Sequence, residues 1–505
     1  MKKTLLPLLY LAFTITNSSA QTIGLERFLR DSLDVQMERG LKQWDIPGAA
    51  VCVVKGDRVL VAKGYGVCDL KNKKPVDSNT LFMIGSNTKA FTGTTMAMLE
   101  HEQVWSLSDR VQKWLPNFKM QDSWVAAHLN LTDIVSHRMG METFQGDFMY
   151  WTSKLTSDQI IEKFGKLKPM HEFRTKWGYT NAGYAIAGAC IKAATGKTWQ
   201  ENIKEKIFQP LEMNRSLALS ADAINAGNLA MPYSKFDGEL TPLFFANIDN
   251  LAPAGSIASS VNDMSHWLIA QLNGGFYKGK QVIPIEAIQR TRVPESILGR
   301  SRQGSHYSLY GLGWELQDFH GKEIVSHTGG VNGYVTAVTL LPEDSIGIVV
   351  LTNTDMNGFY QSMNQVLIHV ASNLPYQDHH SQFLKGYENY FGEILKIERA
   401  WRDTAAMRNP SNLPLEAYTG RYENEAYGVV TLIKDGGSLL ARLEHHETVA
   451  RLQPMGGDRF LCTYADQTLG SKVFPFVTEG GKVKSFTLSA ADFVEFTTYE
   501  FIKKN

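Results

Sequence analysis

The sequence predicts an α+β fold in which an antiparallel sheet is flanked by helices and is followed by a small all-β domain. Two observations lead to this prediction. β-rich runs occur near the start of the chain and again before residue 352, with helical patterns between and after them. From residue 416 the chain consists mostly of short, closely spaced strand patterns. A chain of 505 residues is long enough for two or more domains.

Helical and β-rich patterns alternate over the first 208 residues. The first amphipathic pattern ends at Asp45-Ile46-Pro47-Gly48, a stop signal, and Lys55-Gly56-Asp57 joins two β-rich runs in the manner of a hairpin turn. The predicted elements are a helix at 23–44, strands at 49–54 and 58–64, a helix starting at 86, short helices at 107–115 and 131–135 (the latter capped by Thr132), and helices at 151–168, 185–194 and 199–208.

The next region completes the predicted sheet. Residues 214–250 are rich in turn residues and are expected to form the wall of a cleft. Ser260 and Asp263 have the spacing of a capping box before a helix at 264–272. Because helical patterns bracket the strand patterns, we expect a sheet covered by helices. The remaining predicted elements are antiparallel strands at 325–330, 334–341 and 346–352 and a closing helix at 359–372.

The last part of the chain has a different composition. Residues 373–413 are polar and contain one helical pattern, at 382–401, so they are interpreted as a connector. Glycine pairs at 436–437 and 480–481 mark tight turns between short strands, which favours a small antiparallel barrel or sandwich. The predicted strands are 428–434, 438–443, 459–463, 472–477, 483–489 and 495–501. The chain is therefore predicted to consist of four parts: a signal peptide at 1–20, a domain of sheet and helices at 21–372, a helical linker at 373–413 and a small antiparallel β-barrel domain at 414–505.

Composition and the N-terminus restrict the class of protein. Lysine plus arginine equal aspartate plus glutamate, 51 against 51, so the chain lacks the basic footprint of a nucleic-acid binder. Lys2 and Lys3, an apolar run and small residues before Gln21 form a signal peptide pattern, residues 1–20, which predicts a secreted or periplasmic protein. No later stretch has the length and apolarity of a transmembrane helix. The four cysteines are too sparse for a disulfide scaffold and are predicted to be free and mostly buried.

Three motifs carry the candidate chemistry. Ser86 and Lys89 form a Ser-x-x-Lys pair at the start of an apolar helix, where a hydroxyl and an amine one turn apart would lie on the same side. An amine beside a serine can activate it without histidine. Tyr179-Thr180-Asn181 precedes a second apolar helix, and His327-Thr328-Gly329-Gly330 lies on a predicted strand. Taken alone, Ser86 is also consistent with an ordinary helix cap.

With these motifs in this order, residues 25–372 resemble the superfamily of serine-reactive penicillin-binding proteins and class C β-lactamases, which also contains D-aminopeptidases, DD-carboxypeptidases and esterases. The resemblance implies an antiparallel sheet flanked by helices with an all-helical subdomain. The segment from about residue 416 is similar to the lipocalin-like β-barrel found behind some family members. Supporting stretches lie at 82–86, 181–184, 207–213, 253–256 and 310–314.

The resemblance also implies a role for each motif residue. Ser86 would be the acylated nucleophile, Lys89 would help to take its proton, and Tyr179 would relay the proton to the leaving group. Asn181 would hold the substrate amide and the Lys89 amine, and His327, Thr328, Gly329 and Gly330 would line the substrate. The backbone N–H groups of Ser86 and Gly330 would bind the oxyanion. No metal or cofactor is expected; the expected partner is a small molecule or peptide, and the oligomeric state is open.

Two departures from the family pattern affect the functional prediction. His327 stands where many β-lactamases carry lysine, and histidine is largely neutral at pH 7, which favours a peptidase or esterase. Arg138 and Met139 follow His137 where relatives commonly carry Thr-Ser. The predicted function is an exported serine hydrolase that acts through an acyl-enzyme on small D-amino-acid peptides or short esters and amides. The alternatives are a class C-type β-lactamase and a penicillin- or muropeptide-binding protein that acylates without efficient turnover.

Several residues also have simpler interpretations. Tyr179 is consistent with a core tyrosine, His327 with a structural histidine of a strand, and His137 is interpreted as structural. The histidine pairs 379–380 and 445–446 lack partners at ligand spacing and are predicted to be surface residues, not metal ligands. Gly196-Lys197-Thr198 looks like the end of a phosphate loop, but Ile191 occupies the required glycine position, so it is interpreted as a helix stop.

Overall fold

The computed structural model describes residues 24–300 and 305–504. The predicted signal peptide lies outside these residues. Within them, no helix combines the length and the apolar character needed to cross a membrane. The described helices are α1 (Leu25–Asp31), α2 (Leu33–Trp44), α3 (Thr88–His101), α4 (Val111–Trp114), α5 (Ser123–His128), α6 (Leu131–Val135), α7 (Asp147–Tyr150), α8 (Ser157–Phe164), α9 (Asn181–Thr195), α10 (Trp199–Ile203), α11 (Ser220–Ala223), α12 (Ala252–Gly255), α13 (Val261–Leu272), α14 (Ile285–Thr291), α15 (Phe359–Ala371), α16 (His379–Ala406) and α17 (Leu415–Tyr418).

An antiparallel sheet forms the centre of the N-terminal part, as predicted. Its strand order is β2-β1-β14-β13-β12-β11-β10-β9, and three two-stranded pairs lie outside it, β3 with β6, β4 with β5 and β7 with β8. The strands are β1 (Gly48–Lys55), β2 (Arg58–Gly66), β3 (Phe82–Met83), β4 (Tyr233–Phe236), β5 (Glu239–Pro242), β6 (Ala258–Ser259), β7 (Phe276–Tyr277), β8 (Lys280–Gln281), β9 (Ser296–Arg300), β10 (Tyr307–Tyr310), β11 (Glu315–Phe319), β12 (Lys322–Val331), β13 (Tyr334–Leu341) and β14 (Ile346–Thr352).

The central strands are apolar on both faces because helices cover both faces. Val51 and Val53 of β1 pack with the helices α2 and α15, whereas Cys52 and Val54 belong to the core on the side of α13. Helices α3, α6, α8 and α12 pack around α9 and form the helical region beside the sheet. The turn that carries Ser86 contacts β12, β13 and α12, so it lies where this helical region meets the sheet.

Some element boundaries differ from the predictions. The predicted helix at 23–44 is divided at Ser32 into α1 and α2. The predicted helix at 151–168 is shorter, Ser157–Phe164, because Thr156 caps it with Gln159 in a capping box. Asn130, not Thr132, caps α6. The region 214–250 is not wholly irregular, since it contains the β4–β5 hairpin and α11.

The C-terminal part is a closed antiparallel barrel of eight strands, and the sequence-based expectation of about six was too low. Its interior is filled by aromatic side chains that contact one another, among them Tyr422, Phe460, Phe476 and Phe486. The predicted strand 495–501 is wrong at its start, because residues 489–498 connect two strands. The barrel strands are β15 (Gly420–Asn424), β16 (Gly428–Asp435), β17 (Ser438–Leu443), β18 (Val449–Pro454), β19 (Arg459–Tyr464), β20 (Ser471–Glu479), β21 (Lys482–Leu488) and β22 (Tyr499–Lys503).

Two predictions about single residues can also be compared with the fold. All four cysteines lie in the described residues and are free and buried, which confirms that prediction. The predicted surface position of the histidine pairs is wrong: His379, His380 and His446 are buried. His379 packs edge-on against His369, and a hydrogen bond joins His380 Nδ1 to the Ser362 hydroxyl. Among the described residues, no three histidine, cysteine or acidic side chains are grouped to hold a metal ion.

Candidate active site

Ser86 lies in a tight turn directly before an almost completely buried helix. Residues Gly85–Asn87 form one 3₁₀ turn, which α3 continues from Thr88. Gly85 has a φ of +54°, and a Cβ at this position would lie 2.7 Å from the backbone nitrogen of Gly330. Only glycine accepts both conditions without strain. The glycine before Ser86 therefore brings the serine turn against the third motif on β12.

Lys89 is fully buried, and its amine has three polar neighbours. The Nζ atom lies 3.1 Å from Ser86 Oγ and donates to Asn181 Oδ1 at 2.7 Å and to the Ala254 carbonyl at 2.8 Å. Burial lowers the pKa of Lys89 to about 7, although the nearby Asp147 acts in the opposite direction. A neutral amine has two N–H groups and one lone pair. The two carbonyl acceptors take both N–H groups, which leaves the lone pair for the Ser86 hydroxyl.

Tyr179 lies beside this pair. The Lys89 amine is 4.7 Å from the centre of the Tyr179 ring. The pKa of Tyr179 is raised well above its usual value by burial, with the Ser86 hydroxyl acting against the increase. His137 packs against the same ring at 4.4 Å, and its Nδ1 accepts from the backbone N–H of Thr180 at 3.1 Å. His137 therefore supports the tyrosine from behind.

Asn181 connects Lys89 to a buried carboxyl group that the sequence analysis did not single out. Its Oδ1 accepts from Lys89, so its Nδ2 is the donor to Asp147 Oδ2, at 2.5 Å. The hydroxyl of Tyr150 donates to the other oxygen of Asp147. Burial is the main cause that raises the pKa of Asp147. Asn181 is thus held from both sides and fixes the direction of the Lys89 amine.

His327 faces the site as a neutral imidazole. Its Nδ1 contacts the Thr328 carbonyl at 2.6 Å and must donate there, so Nε2 accepts from the hydroxyl of Tyr310 at 3.0 Å. Burial lowers the pKa of His327 to about 3, and the Lys89 charge acts in the same direction. The ring lies 6.2 Å from that of Tyr179. Because His327 carries no charge near pH 7, it can contact a substrate through its shape and its hydrogen bonds, but it supplies no fixed positive charge.

The rest of the third motif follows along β12. Thr328 is exposed, Gly329 is buried and Gly330 is half-buried. The structure therefore places all eight predicted site residues around one point, where the turn at Ser86, the start of α9 and β12 meet. The residues that the motifs did not indicate are Asp147, His137, Tyr310 and Ala254, which contacts Lys89 only through its backbone carbonyl.

Gly329→Ala is expected to lower the free energy of unfolding by about 1–3 kcal/mol, because overpacking a closed contact has this cost. A Cβ at Gly329 would lie 1.9 Å from the Ile84 carbonyl oxygen. Denaturant unfolding followed by tryptophan fluorescence measures the change. Gly330→Ala is the matched control, since its nearest neighbour, in the ring of Phe493, would be 3.4 Å away. Equal losses in the two variants would contradict the assignment of this contact.

Two family models match this chain. The beta-lactamase family model matches residues 33–372, and a domain of unknown function (DUF3471) matches residues 405–502. An unguisins hydrolase, ungD', from Aspergillus campestris is 28% identical over 428 residues, which are 80% of this chain and 78% of that protein.

Two solved structures share the fold. The octameric penicillin-binding protein homologue from Pyrococcus abyssi is similar over 93% of this chain and 99% of its own, with 20% identity and a TM-score of 0.60. The D-amino acid amidase from Ochrobactrum anthropi SV3 is similar over 67% of this chain and 96% of its own, with 20% identity and a TM-score of 0.55. The family match covers most of the chain, from the start of α2 to the end of α15. The chain therefore belongs to the beta-lactamase family, and it is a serine hydrolase.

Proposed function

We propose that this serine hydrolase cleaves small peptides with D-amino acids, or short esters and amides, through an acyl-enzyme on Ser86. The observation that carries the proposal is the buried Lys89 amine 3.1 Å from Ser86 Oγ, with a pKa lowered to about 7. Such an amine is largely neutral slightly above pH 7 and can accept the serine proton. A general base is most effective in this reaction when its pKa lies near the pH at which the enzyme operates.

The other motif residues would act around this pair. Ser86 Oγ attacks the substrate carbonyl while its proton passes to Lys89, and the backbone N–H groups of Ser86 and Gly330 bind the oxyanion. Tyr179 passes the proton from the amine to the leaving nitrogen or oxygen, which breaks the bond to the acyl group. Water, activated by the same groups, then hydrolyses the ester to Ser86. Asn181 holds the Lys89 amine and the substrate amide, and Gly329 and Gly330 let the substrate lie close to β12.

The substrate class is inferred from His327. A β-lactam carboxylate is favoured by a fixed positive charge, whereas the His327 imidazole has a pKa of about 3 and is neutral. A peptide or ester without a carboxylate at that point suits a neutral site better. The D-amino acid amidase with the same fold supports an amide of a D-residue as the first substrate to test.

A substrate panel tests this function. It consists of D-amino-acid amides, their L-enantiomers as matched controls, D-Ala-D-Ala peptides, p-nitrophenyl esters and nitrocefin, with intact mass measured during turnover to detect the acyl-enzyme. We expect turnover of the D-amides or esters and a mass increase at Ser86. Rapid nitrocefin hydrolysis at low enzyme concentration would instead identify a β-lactamase. A burst without steady-state turnover would identify a protein that only binds and acylates.

We also propose that the protein is exported, to the periplasm or the medium, after cleavage before Gln21. The charged, apolar and small-residue pattern of residues 1–20 supports this location. Cell fractionation and the N-terminal mass of the mature protein test it. A chain that keeps residue Met1 and stays with the cytoplasmic fraction would contradict export.

The pH dependence of kcat/KM is expected to show one rise near pH 7. Lys89 has a lowered pKa of about 7, so it is protonated below this pH and cannot accept the serine proton, and it is neutral above it. For a neutral ester substrate, kcat/KM should therefore increase about tenfold from pH 6 to pH 8. His327, with a pKa of about 3, stays neutral over this range and adds no step. A flat profile, after correction for spontaneous ester hydrolysis, would contradict the role of Lys89.

A further inference from the structure

The C-terminal barrel packs directly against the segment that carries Asp147. Phe148 of α7 stacks on His446 of the barrel at 5.0 Å and contacts Tyr427 and Tyr464. The backbone N–H of Lys154 donates to the His445 carbonyl at 2.8 Å. Apolar side chains of both parts belong to one continuous buried cluster. The barrel therefore supports α7 as a core element would.

Residues 489–498, which we call the barrel connection, reach furthest toward the active site. Phe496 stacks on Phe144 at 5.5 Å, and Phe493 meets Trp151 edge-on at 6.2 Å. A ring carbon of Phe493 lies 3.4 Å from the place where a Cβ of Gly330 would be. Gly330 belongs to the third motif, so the barrel connection borders the substrate side of β12.

Glu495 anchors this connection. It is 2% exposed, and its carboxylate accepts from the backbone N–H groups of Gly146 at 2.8 Å and Phe148 at 3.0 Å. Within the barrel it also accepts from Tyr427 and Tyr499, each at 2.6 Å, and from Thr497. All five partners are donors, an arrangement that a carboxylate satisfies and a carboxylic acid does not. Leaving such donors unpaired in a buried place is costly.

The two backbone groups that Glu495 holds are those on either side of Asp147. Asp147 accepts from Asn181, and Asn181 accepts from the Lys89 amine. A continuous path therefore connects Glu495 of the barrel with the Lys89 amine. It consists of hydrogen bonds and of the peptide segment around Asp147. The charge of Glu495 also raises the pKa of Asp147, and the charge of Asp147 raises that of Lys89.

We propose that Glu495 is a positioning residue of the hydrolase: by holding the backbone around Asp147, it keeps Asn181 and the Lys89 amine within reach of Ser86. The barrel is then part of the catalytic unit and not an independent appendage. This inference rests on the proposed role of Lys89 as the base for Ser86. Because a misplacement of about 1 Å can cost about 100-fold in rate, a positional role predicts a loss in kcat and in the rate of Ser86 acylation.

The test uses the full-length protein and a fluorophosphonate probe that labels an activated serine. Glu495→Gln places N–H groups where donors already point, and it should slow labelling of Ser86 about 10- to 100-fold, with kcat falling and KM little changed. Tyr427→Phe removes one donor to Glu495 without a change of charge and should have a smaller effect of the same kind. Glu500→Gln is the control, because Glu500 is a barrel carboxylate whose side-chain partner is Ser485 of the barrel.

The pH profile of labelling separates positioning from simple loss of folded protein. The groups that face Lys89 are Asp147, His137, His327, Tyr179 and Tyr184, and of these only Asp147 is influenced by Glu495. Without the Glu495 charge, Asp147 ionises at lower pH, so Lys89 holds its proton more strongly and the acid limb should move to higher pH. A variant with fewer active molecules but normal kinetics would keep the wild-type limb.

Each outcome decides the matter. Slow labelling with a displaced acid limb in Glu495→Gln, and normal behaviour of Glu500→Gln, supports the proposal. A wild-type rate per active molecule with an unmoved limb overturns it and leaves the proposed function intact. If the wild-type protein itself is not labelled at Ser86, the proposed acylation fails and this inference fails with it.

Discussion

Replacing Ser86 by alanine is expected to lower kcat by roughly 10⁴- to 10⁶-fold, since loss of a serine nucleophile leaves only binding and oxyanion stabilisation. The structure offers no substitute at this point: the Lys89 amine lies 3.1 Å from Ser86 Oγ, and the neighbouring side chains are an amide and a phenol. The variant should also lose the mass increase on incubation with substrate and labelling by a fluorophosphonate or penicillin-type probe.

The fold should be unaffected, because the Ser86 side chain is half-buried and its hydroxyl contacts Lys89 and Tyr179 within the site itself. Ser108→Ala is the matched control, as its exposed hydroxyl contacts only Ser106 among side chains. Circular dichroism and unfolding midpoints should be the same in both variants and in the wild type. Probe labelling of the Ser86→Ala variant, or an acyl-enzyme mass in it, would contradict the assignment of Ser86 as the nucleophile.

The three motifs could be recognised in the sequence because each is local. Ser86 and Lys89 are three residues apart, so helix geometry alone places them on one side, and Gly329 and Gly330 indicate a strand with a close neighbour. The sheet and its covering helices followed from apolar patterns of the same short range. What these patterns do not give is which motif meets which, and the structure brings all eight residues together at the end of β12.

Asp147 and Glu495 could not be found in this way. Glu495 contacts the segment around Asp147 across 347 and 349 residues of sequence, and neither lies in a spaced motif. The aromatic residues Phe496, Tyr499 and Phe501 make residues 495–501 resemble one strand, although β22 begins only at Tyr499. Phe493 and Phe496 remain about half exposed and pack on Trp151 and Phe144 of the hydrolase domain, so they are not part of the barrel wall.

Lys89→Met is expected to lower kcat by about 10²- to 10⁴-fold, the usual contribution of a positioned general base. Methionine has a similar length and suits the buried position, but it cannot accept the Ser86 proton. The acid limb near pH 7 should disappear with the amine, because Asp147, whose pKa burial raises to about 8, is linked to Ser86 through Asn181 and the Lys89 amine. Steady-state kinetics between pH 5 and pH 9 measure both effects.

Lys89→Arg tests whether charge or basicity matters at this position. A guanidinium stays protonated at every accessible pH, so it retains a positive charge but has no lone pair for the serine proton. If Lys89 acts as the base, arginine should be as inactive as methionine; if it acts only as a fixed charge near the oxyanion, arginine should retain much of the activity. Lys192→Met, on the exposed side of α9, is the control. The low pKa of Lys89 argues for the first outcome, because burial that removes the charge from an amine leaves basicity as what it can supply.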